Sequence, residues 1–290
     1  MGGSSFDFLA TGTKWQFDFA EDFSVAKLEM IRTILSNRAE DFESIYSRFR
    51  EDSLISKISQ KSGEFALPED SEKLFDFYFR LNKFTNGKFT PLVGELLNMA
   101  GYDKEYSFIT KGVLEHMPDL ESVAEYKFPT INVKEPLKWD LGAAGKGYLI
   151  DLLGKLLEEN GISEYCIDAG GDMLQKSKTK VLRVGLENPK NFEQVIGVAE
   201  IKNQSICGSS GSRRQWGNFH HIFDINSLQS PTDILSTWVV AESAMVADGI
   251  ATSLFFSKPV DIKRGFDFEY LILNSDFTVE RSKYFPVELF

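Results

Sequence analysis

Apolar residues recur along this chain with two different periods. Thr13 to Phe19, TKWQFDF, alternates with a period of two and predicts an opening strand. Leu28, Ile31, Leu35, Phe42, Ile45 and Phe49 then recur at helical spacings, so one stripe of a long helix faces a core, with Ser24 as its N-cap. Asp52 and Ser53 offer caps for a short helix over LISKIS. Pro68, Glu69 and Asp70 open another, whose apolar face is Leu74, Phe77, Tyr78, Leu81 and Phe84 and whose stop is Gly87. FTPLVGELLNMAGYD is apolar but broken by Pro91, Gly94 and Gly101, which predicts a loop and a short helix.

From Pro118 to Pro136 the pattern is irregular, with strand-like pieces. LKWDL predicts a strand, and the small residues from Gly142 to Gly147 a turn. Leu149, Ile150, Leu152, Leu153, Leu156 and Leu157 form a broad helical stripe that ends at Gly161. YCIDAGGDML is a strand running into a glycine turn, and VLRVGLE, QVIGVAEI, SICGSSG and TWVVA are strands. SAMVADGIATSLFF is a helix with Ser243 near its start, and EYLILNSDFTVER is a strand, turn and strand. The sum is an α+β chain, with helices early, sheet later and at least two helices packed on strands.

The length of 290 residues allows one large domain or two smaller ones, and 42% hydrophobic with 26% charged residues is ordinary for a globular protein. A net charge of −11 argues against a nucleic-acid partner and requires any anionic ligand to be held by local devices such as backbone N–H groups, a lysine or a metal ion. Cys166 and Cys207 make neither a disulfide framework nor a zinc spacing and read as small buried hydrophobes. No stretch is apolar enough to span a membrane. The first residues lack a basic region followed by a long apolar run, so no signal peptide is expected; a cytoplasmic protein and a truncated exported one both remain open.

Three groups of residues suggest chemistry. DLGAAGKGYLID places small residues and Lys146 before a helical stripe. It is not a P-loop, because Asp140 stands where the first glycine should be and Gly147 follows the lysine. It is not a dinucleotide fingerprint either, since the glycines run GxxGxG. It suits tight strand–helix packing or an anion at a helix N-terminus. Asp248 and Thr252 are four apart, on one helix face among small residues, which suits a hard cation or a plain solvated pair. His220 and His221 precede Asp224, and in a strand only one of the two histidines can face a given pocket; they are a proton acceptor or structural histidines.

Together these segments carry a resemblance. WDLGAAGKGYLID, IDAGGDM, HHIFD and ESAMVADGIATSLF are similar, in order and spacing, to segments of the FAD:protein FMN transferase family, also called the ApbE or thiamine biosynthesis lipoprotein family. SRFREDSLISKIS, GKFTPLVGELLNMAGYD and TGTKWQFDF resemble its earlier segments, so the likeness runs from about Thr11 to Phe256. It implies a single catalytic domain over residues 11–290, of T-fold type, with mostly antiparallel sheet and packed helices.

The resemblance also implies an activity. FMN is moved from FAD, with Mg²⁺, onto a Thr or Ser hydroxyl of an acceptor protein, and AMP is released. Asp248 and Thr252 fall on the side-chain metal ligands, and Gly145 on a position, usually Ala, whose carbonyl also binds the ion. Lys146 falls beside the phosphates and His221 on the catalytic base. Gly142, Ala143, Gly170, Gly171 and Asp172 fall on nucleotide-binding positions, and Phe49 on an aromatic position near the flavin ring or adenine. The chain departs from the family pattern in three places. INSLQSP follows HHIFD where Pro-Arg-Thr-Gly is usual, Ala143 replaces the second glycine of DLGG, and Thr90 replaces an aspartate. The lipobox cysteine of many members is absent. An FAD pyrophosphatase and a non-catalytic FAD-binding protein are the alternative readings.

Overall fold

The computed structural model describes residues 3–290. β1 (Ser5–Ala10) and β2 (Thr13–Phe19) form a hairpin. Its turn residues Thr11 and Gly12 both lie at positive φ, 49° and 71°. Phe6 and Phe8 of β1 stack on Phe17 of β2, with ring centroids 5.0 and 5.2 Å apart. α1 (Val25–Tyr46) follows, with the Ser24 hydroxyl accepting from the Lys27 N–H at 3.3 Å as the cap. Ile31, Leu35, Ala39, Phe42 and Tyr46 are its buried stripe. Phe49 lies beyond the end of the helix and is 38% exposed, so it is not part of that stripe.

α2 (Leu54–Gln60) is capped by Ser53. β3 (Gly63–Ala66) precedes a 3₁₀ turn over Glu69–Ser71, which runs into α3 (Glu72–Phe84). Gly87, at φ 82°, follows the end of α3. α4 (Val93–Met99) is the short helix expected in the broken apolar stretch. The irregular stretch contains α5 (Leu120–Val123), β4 (Ala124–Lys127) and β5 (Thr130–Val133), which makes a small sheet in the order β3-β5-β4.

The expected strand at LKWDL does not form. Its Trp139 N–H donates to the Ser59 hydroxyl at 3.0 Å, and the Asp140 N–H to the Pro91 carbonyl at 2.7 Å. Those N–H groups are taken by a helix side chain and a loop, so they cannot build a ladder. Trp139 is fully buried and holds the segment down.

α6 (Gly142–Glu159) leads to β6 (Tyr165–Ala169), β7 (Met173–Lys176), β8 (Leu182–Asn188), β9 (Asn191–Ile201) and β10 (Ser205–Ser210). A two-stranded ribbon of β11 (Gln215–Trp216) and β12 (Phe219–His220) comes next. Then follow β13 (Ile234–Ala241), α7 (Ala244–Ser253), α8 (Pro259–Ile262), β14 (Glu269–Asn274), β15 (Val279–Arg281) and β16 (Val287–Leu289).

Eight strands form one antiparallel sheet in the order β1-β2-β6-β7-β10-β13-β14-β15. β16, β9 and β8 make a separate three-stranded sheet. α6 and α7 pack against each other, and α7 packs against β10 and β13, with Ala144, Leu149, Ile150, Leu153, Ala247 and Ile250 in the main core. Among the described residues, no helix is long and apolar enough to cross a membrane.

Candidate active site

The seam between α6 and α7 gathers most of the residues singled out from sequence. Gly142 to Gly147 is not a turn but the start of α6, which corrects the expectation. Small residues weaken a helix by propensity, yet here the backbone has compensations. The Asp140 carboxylate accepts the Gly142 N–H at 2.6 Å, and the Leu141 carbonyl accepts the Gly145 N–H at 2.8 Å. The reason for small residues lies across the seam. A Cβ on Gly147 would strike the Ala244 carbonyl and stand 2.7 Å from Asp248 Cβ. A Cβ on Gly249 would strike Phe77 and stand 3.2 Å from Ala144 Cβ. Lys146 therefore sits in the second turn of α6, not in a loop.

Asp248 is 6% exposed and accepts the Gly147 N–H at 2.8 Å through Oδ2. Burial pushes its carboxyl above the usual carboxylate range, against the pull of Lys146 and of that N–H. One turn later, Thr252 Oγ1 lies 3.2 Å from Ser209 Oγ of β10. Gly145 stands between Ala144 and Gly147, two of the points where α6 touches α7. The oxygen donors offered here are of the kind a hard cation prefers, and the buried, under-paired carboxylate fits one. Cys207 of β10 is fully buried, its thiol donating to the Ala244 carbonyl at 3.6 Å. Cys166 is buried as well, and both cysteines are free.

The Lys146 ammonium is paired with Asp172, whose side chain is 2% exposed. Asp172 Oδ1 in turn accepts the Gly208 N–H at 3.1 Å. The carboxylate of the glycine turn thus holds the lysine. Gly170 and Gly171, at φ 69° and 101°, make that turn between β6 and β7, and Asp168 accepts the Gly171 N–H at 2.8 Å.

His220 and His221 divide as the alternation requires. His220 is clipped into the structure, its N–H donating to Ser230 Oγ at 2.8 Å and its Nε2 lying 2.9 Å from the Pro231 carbonyl. The divergent INSLQSP segment supplies both contacts and is closed by a bridge between Asp224 and Gln229. His221 keeps a buried Nδ1 with no hydrogen-bond partner among the described residues. Burial, then Arg214, His220 and Lys146, push its pKa down to about 3. It is a neutral imidazole beside two cations.

Phe49 faces solvent in an aromatic group that the sequence did not reveal. Its ring stacks on Tyr106 at 5.8 Å and meets Tyr102 edge-on at 6.3 Å, and Arg48 lies 4.2 Å over it. Arg48 Nε also pairs with Asp140 Oδ2 at 2.7 Å, tying the aromatic group to the start of α6. Arg214 Nη1 donates to the Tyr102 hydroxyl at 3.1 Å. Arg48, Asp140, Arg214 and Tyr102 were missed from sequence; their signal was only that each lies within or beside a segment of the resemblance.

Comparison with known proteins identifies the family and the fold. Residues 11–268 match the sequence model of the ApbE family. The FAD:protein FMN transferase of Buchnera aphidicola subsp. Schizaphis graminum is 26% identical over 265 residues, spanning 84% of this chain and 76% of that one. The FAD:protein FMN transferase of Klebsiella pneumoniae is 26% identical over 277 residues, spanning 86% and 77%. Among solved structures, the ApbE protein of Thermotoga maritima superposes with a TM-score of 0.83 at 21% identity, covering 97% of each chain. The flavin transferase ApbE of Vibrio cholerae gives 0.78 at 19% identity, covering 96% of each. At such identities the structures establish the fold, antiparallel sheet and packed helices as expected, and the sequence match establishes the rest: this chain belongs to the ApbE family.

Proposed function

We propose that the chain, acting as one catalytic unit over residues 11–290, transfers FMN from FAD to a Thr or Ser hydroxyl of an acceptor protein and releases AMP. The observation that carries this reading is the α6–α7 seam. The seam's buried carboxylate, hydroxyl and held lysine, with the neutral His221 near enough to feel that lysine's charge, support the reading in a chain whose relatives bear the name FAD:protein FMN transferase.

Asp248, Thr252 and the Gly145 carbonyl would hold Mg²⁺. Among the described residues no cluster of three or more His, Cys, Asp or Glu could hold a metal ion, so hydroxyl, carbonyl and substrate oxygens must complete the shell. When bound, the ion would supply Lewis-acid stabilisation of charge on the phosphate oxygens. Lys146, oriented by Asp172, faces the diphosphate, with Gly142 and Ala143 at the start of α6 and the Gly170–Gly171 turn beside it. Phe49, within its group with Tyr102, Tyr106 and Arg48, would receive an aromatic ring of FAD.

The acceptor oxygen bonds to the FMN phosphorus as the diphosphate P–O bond breaks and AMP leaves. His221 takes the acceptor's proton at an imidazole nitrogen. Burial is the main cause of its low pKa, with Arg214, His220 and Lys146 adding to it; a diphosphate held at Lys146 would offset that lysine's share and raise the basicity of His221.

Incubation with FAD, Mg²⁺ and an acceptor domain bearing a modifiable Thr, read by mass spectrometry, tests this. The expected result is an acceptor heavier by one FMN, with AMP released in step and both products lost in Asp248→Asn. Free FMN and AMP with an unmodified acceptor would instead make the chain an FAD pyrophosphatase. Intact FAD would make it a non-catalytic FAD-binding protein, the reading that the replacement of Pro-Arg-Thr-Gly by INSLQSP beside the histidines favours.

A further inference from the structure

Asp151 lies on α6 one turn beyond Gly147 and belongs to none of the segments' assigned roles. Its carboxylate takes three donors from the start of α7: the Ser243 hydroxyl at 2.5 Å, the Ala244 N–H at 2.8 Å and the Met245 N–H at 3.0 Å. Ser243 accepts the Val246 N–H at 3.3 Å and its carbonyl the Ala247 N–H at 3.1 Å, so the first turn of α7 is fully satisfied. A carboxylate there also meets the positive end of the helix dipole.

The spacing gives this contact its consequence. Asp151 meets Ala244, and four residues earlier Gly147 meets Asp248, four residues later on α7. The helices run antiparallel with matched rungs, each one turn of ~5.4 Å apart. Carried one turn further, the same spacing would bring Thr252 level with Ala143. The clamp at one end therefore fixes the register and rotation with which Asp248 meets the start of α6 and Thr252 follows one turn later beside Ser209.

We propose that Asp151 is the positioning residue for the Asp248–Thr252 pair, a role that rests on the metal reading of that pair given above. Asp151→Asn keeps the shape but has one acceptor oxygen where three donors converge. Two measurements on the folded, metal-free protein test it: amide hydrogen exchange over residues 244–253, and Mg²⁺ titration by calorimetry at a temperature well below unfolding. Exchange is expected to quicken in α7, and Mg²⁺ affinity to fall by about tenfold or more, the range seen when a group orienting a metal ligand is removed. A lowered melting temperature with Mg²⁺ affinity within about twofold of the parent chain overturns the proposal, since that is the signature of a merely structural contact. Ser243→Ala removes one donor only and serves if Asp151→Asn does not fold; it should move both readouts the same way by less, and no movement in either overturns the proposal. Absence of Mg²⁺ binding by the parent chain would sink the metal reading and the positioning role with it, whereas exchange in α7 would still report the clamp.

Discussion

His221 sets the clearest test at the scale of one residue. Its pKa, held at about 3 by burial and by Arg214, His220 and Lys146, lies below the ordinary value near ~6.5. The free protein therefore keeps it neutral across the neutral range. The kcat/KM profile, which reports the free enzyme, should have no acid limb near pH ~6.5. A limb there would place the proton acceptor elsewhere. Replacement by Ala should cost about 10²–10⁴-fold in transfer while FAD binding persists. The same depression has a sign for stability. The unfolded chain binds the proton first, so the stability that the neutral ring retains is complete above about pH 6.5 and declines as pH falls toward the folded value. At this scale the sequence was informative where partners are local. Asp248 and Thr252 were legible because four residues make one helical turn. Asp172 was legible as a position, not as the partner of Lys146, because their pairing depends on how the β6–β7 turn meets α6.

The seam between α6 and α7 is where element-scale physics decides. Sequence composition marked Gly142 to Gly147 as a turn, because small residues usually signal one. The structure uses them instead for close helix approach, a purpose invisible without the second helix. Gly147 and Gly145 should behave oppositely on substitution. Ala at Gly147 drives its Cβ into the Ala244 carbonyl and should cost about 1–3 kcal/mol, with Mg²⁺ affinity falling as the seam spreads. Ala at Gly145 meets nothing nearer than Phe42 Cζ at 3.8 Å and should raise stability by up to about 1 kcal/mol through helix propensity. Denaturant unfolding of the two variants separates them; equal effects would refute the packing account. The strand expected at LKWDL failed for a related reason. Alternation fixes which face a residue shows, but the Ser59 hydroxyl and the Pro91 carbonyl were too distant in sequence to be seen as competitors for its N–H groups.

Across the whole molecule, the order of strands was beyond reach of the pattern, because neighbours such as β2 and β6 are joined only after α1 to α6 have intervened. The α+β class was legible, since helix and strand periods are local, whereas the antiparallel sheet came only from the family resemblance. The last strand illustrates long-range dependence. β16 pairs Val287 to Leu289 with Ala199 to Gly197, and Phe285 before it is 3% exposed. Truncation after Ser282 should lower Tm by on the order of 10 °C through loss of a buried Phe and leave β9 with an open edge. Light scattering should then find concentration-dependent association. A truncated chain that stays monodisperse with an unchanged Tm would contradict this.

Cys207 gives the closed seam a clock. Its thiol is sealed against the Ala244 carbonyl, at the very turn that Asp151 holds. A thiol-directed dye cannot reach it in the closed protein, so the labelling rate counts how often α7 lifts from the sheet. A ligand that bridges α6 and α7 must slow that count, whatever chemistry follows.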